Sequence, residues 1–172
     1  EKEFIVFNTS ALYSPVQYLP QASGILIGRL FHLPPVALVY CGRAGNLLFW
    51  ILVCWLALRI SKGSSLIYLL GLLPSMLHAA SILSGDAVTV GCILLFVTYL
   101  IKLSYFEREK RITGHHLTIL FLLGMAISLC KIVYFPICLL IFVLPQSKFR
   151  NRKRYLTATI FLVVVCILAN LS

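Results

Sequence analysis

Asp86 and Lys131 have side chains that could do chemistry, and each interrupts a long apolar stretch. Asp86 lies in ASILSGDAVTVG, residues 80–91, and Lys131 lies in SLCKIVYFP, residues 128–136. A charge within lipid costs about 2.5–3.5 kcal/mol even on the mildest scale, so such residues often mark functional sites. A carboxylate can accept a proton, and a lysine can bind a phosphate. Two simpler roles stay open, a helix cap for Asp86 and a snorkelling lysine for Lys131.

Four further residues are weaker candidates for ligand contacts. Arg43 and Arg29 could bind a phosphate or anchor to lipid headgroups. His78 lies about two turns before Asp86, where an interior hydrogen bond and a role in the site are both open. Tyr13 fits an aromatic belt at the membrane surface, and sugar stacking is the alternative. The six cysteines form no C-x-x-C pair, which favours packing over a metal site.

The composition predicts an all-α integral membrane protein. The chain has 172 residues, of which 60% are hydrophobic and 12% are charged, whereas about a quarter of a soluble domain is charged. The apolar residues form continuous blocks and do not alternate as barrel strands do. The net charge of +10 comes from residues between these blocks, where orientation signals and headgroup contacts explain it, so nucleic-acid binding is not expected.

Five apolar blocks follow a mixed N-terminal region, and they run Ala44–Ile60, Leu66–Leu83, Ala87–Leu103, Leu117–Pro145 and Tyr155–Leu171. The fourth would be about 43 Å long as one helix, too long for a hydrocarbon core about 30 Å thick. Lys131 lies at its middle, so we expect a two-segment hairpin with Lys131 at the tip. The blocks therefore predict about four full spans, plus or including this hairpin.

The basic residues predict a multi-pass topology in a cell membrane. Most of them lie in the loops 59–65, 102–116 and 146–155, which the positive-inside rule assigns to the cytoplasm. Asp86 and the Lys131 tip then face the opposite side. We expect a single transmembrane domain over 1–172, with an external loop at 1–42 and transmembrane helices over 43–172. The missing start methionine and the apolar C-terminus lead us to expect a fragment of a longer protein.

The external loop contains one predicted helix. Gln17, Gln21, Gly24 and Gly28 form a polar or small stripe along it. Such a helix could lie at the outer interface with the stripe toward water, or it could pack closely on another helix through its glycines. Both alternatives stay open here. Pro34-Pro35 should end the helix and turn the chain toward the first span.

Several strings occur together in an order that resembles a known family. They are YSPVQYLPQASGILIGRL, GRAGNLLFW, LLPSMLHAASILSGDA and SLCKIVYFP, within about Phe4–Pro145. The chain resembles a bacterial family of multi-spanning membrane proteins, domain of unknown function 2142. That family is similar, more distantly, to the GT-C glycosyltransferases, membrane enzymes that use polyprenyl-phosphate-linked sugars.

The resemblance implies a GT-C-like bundle that transfers a sugar from a polyprenyl-phosphate donor to a cell-surface glycan acceptor at the outer face. Tyr13 matches a Tyr-Pro motif of the first external loop. Asp86 matches an acidic residue of the second, where it would act as general base or hold a divalent metal ion. Lys131 matches a basic hairpin residue and, with Arg43 and Arg29, would bind the donor phosphate.

Two other functions remain open. A lipid or polymer transporter, or flippase component, would use the broken segment at Lys131, because interrupted helices line transport sites. A non-catalytic membrane scaffold would need Asp86 only as a helix cap. The GT-C family also has an acidic residue earlier in the first external loop, which we expect upstream of Glu1.

Overall fold

The computed structural model describes residues 14–106 and 112–144, which are helical and contain no strand. A 3₁₀ turn at Pro15–Tyr18 leads into α1. The α-helices are α1 (Leu19–Leu30), α2 (Pro35–Ile60), α3 (Ser65–Gly71), α4 (Pro74–Ser81), α5 (Asp86–Ile101), α6 (Gly114–Cys130) and α7 (Phe135–Cys138). A π-helical turn, Lys102–Phe106, continues α5. The 3₁₀ turns Ile132–Tyr134 and Leu139–Val143 flank α7.

Within the described residues, two helices are long and apolar enough to cross a membrane, and they are Pro35–Ile60 and Asp86–Tyr105. Gly114–Cys130 is apolar but shorter. Large side chains along α2 point away from the protein, with Leu48 65% and Ile51 53% exposed. Such an apolar outer surface suits contact with lipid. The all-helical expectation is confirmed, whereas only two of the expected full spans have the required length here.

The first span begins earlier than expected. Pro34 is extended and Pro35 opens α2, a position where proline loses no helical hydrogen bond. The turn at Pro34-Pro35 is therefore as predicted. The boundary expected between loop and membrane helices at 42/43 falls inside α2, and its place relative to the membrane stays a prediction.

Helix α1 packs antiparallel on the first half of α2. Gly24 lies against the Cys41 carbonyl and Gly45 lies against the Pro20 carbonyl, so closely that a β-carbon at either glycine would overlap the carbonyl oxygen. The close-packing alternative is thus confirmed. Gln17 and Gln21 are only 1% and 7% exposed, so the polar part of the stripe is buried in the protein, and a position of α1 at the outer interface stays a prediction.

The second apolar block, expected to be a span over Leu66–Leu83, is not one continuous helix. It forms two short helices, α3 and α4, which are only about 10 and 12 Å long. Pro74 explains the break, because its ring and missing N–H prevent a helix from continuing through it. The Trp50 indole donates a hydrogen bond to the Gly71 carbonyl (3.1 Å) at this break.

The hairpin expected in the fourth block is confirmed. Helix α6 ends at Cys130 and Lys131 is extended, with φ −152° and ψ 126°. The chain then returns along α6, where the Cys138 thiol donates to the Gly124 carbonyl at 3.6 Å. The returning segment completes a core between α5 and α6, with Phe96, Tyr99, Leu100, Leu103, Leu120, Ile127, Cys138, Ile141 and Leu144.

One of the predicted loops is partly helical in the described residues. Helical structure continues through Phe106 and resumes at Gly114, so much of the loop expected at 102–116 is helical. The loop 59–65 keeps only a short turn between Ile60 and Ser65. The loop 146–155 and the fifth block, Tyr155–Leu171, lie outside the described residues.

A test of the α1–α2 contact compares two glycine-to-alanine substitutions. Gly24→Ala should lower the free energy of unfolding by about 1–3 kcal/mol, because the new β-carbon overlaps the Cys41 carbonyl. Gly114→Ala is the matched control, since among the described residues beyond its own helix and chain neighbours no atom lies within 4 Å of the added β-carbon. Thermal unfolding of the detergent-purified protein measures both. Equal melting temperatures for the two variants would contradict the close contact.

The predicted topology is tested by labelling single cysteines in a variant without native cysteines. Val133→Cys lies beside the hairpin tip, and the Val133 side chain that it replaces is 81% exposed. Thr113→Cys lies at the opposite end of α6. A membrane-impermeant maleimide should label Val133→Cys in intact cells and Thr113→Cys only after permeabilisation. Labelling of both from one side would disprove a crossing by α6.

Candidate functional site

Asp86 and Lys131, which are 45 residues apart in the chain, form an ion pair. The Lys131 Nζ lies 2.6 Å from the Asp86 Oδ1. The Ser84 hydroxyl donates to Asp86 Oδ2 at 2.9 Å and accepts from the Asp86 backbone N–H at 3.1 Å. Both oxygens of the carboxylate therefore have a partner, one of them charged.

Helix ends position the two charges. Asp86 is the first residue of α5, where a negative charge interacts favourably with the helix dipole. Lys131 directly follows the last turn of α6, where a positive charge is favoured. The two helices are antiparallel, since the Tyr99 hydroxyl and His116 Nδ1 meet at 2.8 Å at their other ends. The N-terminus of α5 therefore lies next to the C-terminus of α6.

The contacts of Asp86 distinguish it from a simple helix cap. The N-cap residue of α5 is Gly85, and no side chain caps the helix there. The Asp86 carboxylate instead contacts Lys131 and Ser84. The side chains of Lys131 and Asp86 are 27% and 51% exposed, so the pair is accessible from solvent.

Asn46 holds the turn that precedes Asp86. It lies near the middle of α2 and is fully buried. Its side-chain Nδ2 donates to the carbonyls of Ile82 and Ser84, each at 2.9 Å. The sequence reasoning assigned no role to Asn46, and its only signal was a lone amide within an apolar helix.

Gln17 lies beside the same turn, and Gln21 is one helical turn further along the chain. Gln17 packs so tightly on Gly85 that a β-carbon there would come within 2.6 Å of the amide. The side-chain oxygens of Gln17, Gln21 and Asn46 are buried and have no hydrogen-bond partner among the described residues. The predicted polar stripe of α1 therefore faces the site, which the sequence pattern alone did not indicate.

The other predicted site residues do not join the ion pair. Arg43 is exposed on α2, and its guanidinium lies 5.8 Å from the Tyr40 ring centroid. Arg29 is exposed in the last turn of α1, about three turns from Gln17. His78 is exposed on α4. Tyr13 lies outside the described residues.

The described residues do not fit a divalent metal ion. They contain no group of three or more histidine, cysteine or acidic side chains that could hold one. Asp86 is already paired with Lys131, whose positive charge would repel a cation at the same carboxylate. The reaction proposed for this site therefore uses no metal ion.

Comparison with known proteins identifies the family of this chain. A family model described as "Predicted membrane protein (DUF2142)" matches residues 1–172. The chain belongs to the DUF2142 family. Its description agrees with the apolar helices α2 and α5 in assigning the protein to a membrane. No curated protein and no solved structure matches this DUF2142 chain.

A double-mutant cycle tests the ion pair of this DUF2142 protein. We expect a coupling of about 0.2–1 kcal/mol between Asp86→Asn and Lys131→Gln, because solvent screens the half-exposed pair. Thermal unfolding of both single variants and the double variant measures it. The coupling should shrink in 1 M salt. Strictly additive effects would mean that the contact contributes nothing to stability.

Proposed function

We propose that this protein is a membrane glycosyltransferase that transfers a sugar from a polyprenyl-phosphate donor to a cell-surface glycan. The ion pair of Asp86 and Lys131 is the observation that carries this proposal. It combines a potential proton acceptor and a potential phosphate ligand in contact at 2.6 Å, within reach of solvent. The outer face of the membrane is the side on which the charge distribution predicts the pair.

The proposed reaction uses the two charges separately. The donor phosphate binds the Lys131 ammonium, which has three N–H donors and draws away from the carboxylate. Asp86 then accepts the proton of an acceptor hydroxyl while the hydroxyl oxygen attacks the anomeric carbon. The bond from that carbon to the phosphate oxygen breaks, and Lys131 stabilises the released phosphate. Arg43, one turn from Asn46 on α2, is a further candidate for the phosphate.

The resemblance to GT-C enzymes supports the assignment of these roles. In that family an acidic residue of a short external loop and a basic residue of a later hairpin serve the site. Asp86 and Lys131 match those positions, and here they are in contact. Tyr13, Arg29 and His78 remain lesser candidates for contacts with the substrate.

A transporter or flippase is the second candidate, and one observation favours it. The second apolar block is interrupted between Gly71 and Pro74, in addition to the break at Lys131. Interrupted helices typically line transport sites. Lys131 would then bind the phosphate of a lipid during its passage, with no role for Asp86 as a base.

The proposal is tested by removing each charge from the full-length protein. Asp86→Asn should lower sugar transfer by about 10²- to 10⁴-fold, because the variant lacks a general base. Lys131→Gln should weaken donor binding by roughly tenfold or more, because a hydrogen bond to a charged group is lost. Transfer of radiolabelled sugar from polyprenyl phosphate to glycan measures both effects.

Lys62→Gln is the matched control, since it removes one positive charge from the turn after α2. It should leave transfer unchanged. Unchanged glycan formation by Asp86→Asn at normal expression would refute the catalytic role. Movement of sugar-free polyprenyl phosphate across vesicles by the purified protein would favour the transporter instead.

A further inference from the structure

Three buried amide oxygens near the turn that leads to Asp86 have no hydrogen-bond partner among the described residues. They belong to Gln17, Gln21 and Asn46, which are 1%, 7% and 0% exposed. The Asn46 amide orientation is determined by its network, because Nδ2 donates to two carbonyls and Oδ1 must point elsewhere. Unpartnered acceptors at this depth are uncommon and costly, so a donor is expected to reach them.

These oxygens adjoin the turn that carries Asp86. Gln17 packs on Gly85, the residue immediately before Asp86. The Pro20 carbonyl contacts Gly45, so their chain neighbours Gln21 and Asn46 flank one contact between α1 and α2. Gln17 and Asn46 therefore contact the turn that leads to Asp86, and Gln21 lies next to the α1–α2 contact beside Asn46.

The charges of the site favour a neutral donor over a cation. Asp86 is compensated by Lys131, so the amide oxygens have no excess negative charge beside them. A metal ion there would add positive charge close to the lysine. Hydroxyl groups, which are neutral and donate hydrogen bonds, meet the requirement of the three acceptors.

We propose that the side-chain oxygens of Gln17, Gln21 and Asn46 form a subsite that binds the hydroxyl groups of a sugar whose phosphate lies at Lys131. This inference rests on the proposed function, because it takes the ligand to be a lipid-linked sugar. It adds the prediction that the neutral amides of Gln17, Gln21 and Asn46 recognise the sugar. The residues proposed to react, Asp86 and Lys131, are separate from these amides.

The experiment compares three lipids on the purified full-length protein. One is polyprenyl phosphate without sugar, and the others are the same lipid carrying glucose or mannose. Gln21→Met removes the amide and keeps similar volume. We expect it to weaken binding of a sugar-bearing lipid by roughly twofold to tenfold, the range for one neutral hydrogen bond. Binding of the bare lipid should not change.

Controls separate recognition from structure. Leu26→Met introduces the same side chain on the exposed face of α1 and should change neither affinity. Gln21→Met should unfold at the same temperature as wild type or higher without ligand, because it removes an unpartnered buried group. Gln17→Met provides a second variant with the same expectation for the sugar-bearing lipid.

The outcomes distinguish this inference from the function on which it rests. Weakening of both lipids by Lys131→Gln, with no selective effect of Gln21→Met or Gln17→Met, would overturn the subsite and leave the proposed function standing. Lower stability of both glutamine variants with unchanged affinities would assign the amides a structural role and overturn the subsite. Failure of the wild-type protein to bind any of these lipids would overturn both proposals.

Discussion

Two hydrogen bonds from the side chain of Asn46 hold the turn on which the candidate site is built. Helix α4 ends at Ser81 and α5 begins at Asp86, so the carbonyls of Ile82 and Ser84 lie between the two helices. In apolar surroundings such groups must be paired within the protein, because lipid offers no donors. The amide of Asn46 supplies two of these donors, and α5 therefore starts at a defined height along α2.

The start of α5 in turn determines where the hairpin of α6 can end. Asp86 presents a negative charge at a helix N-terminus, and Lys131 brings a positive charge from a helix C-terminus. Each charge alone would be costly near lipid, whereas the pair is neutral and each member suits its helix dipole. The break after Cys130 thus has an electrostatic reason as well as a geometric one.

The sequence predicted the helices better than it predicted which side chains contact each other. Block length and Lys131 sufficed to predict the fourth block as a hairpin, since a single helix would exceed the membrane thickness. Pro74 signalled the break in the second block, but the continuous apolar composition outweighed it. Periodicity identified the stripe of Gln17 and Gln21 without indicating what it faces. Asn46, a single amide, has no periodicity, so its contact with the turn could not be predicted.

The orientation of α1 connects these observations. A soluble amphipathic helix buries its apolar face, whereas α1 and the 3₁₀ turn before it bury Gln21 and Gln17 and expose Leu26 and Leu30. This inverted arrangement suits a lipid-facing helix around a polar interior. Because lipid supplies no hydrogen bonds, that interior depends on protein, water or ligand for donors. Within the described residues, three side-chain oxygens there have no hydrogen-bond partner, and the turn that they adjoin leads to a solvent-accessible ion pair. A ligand that combines hydroxyl groups with a phosphate would meet both demands, so the groups that destabilise the empty interior are those that would select its ligand.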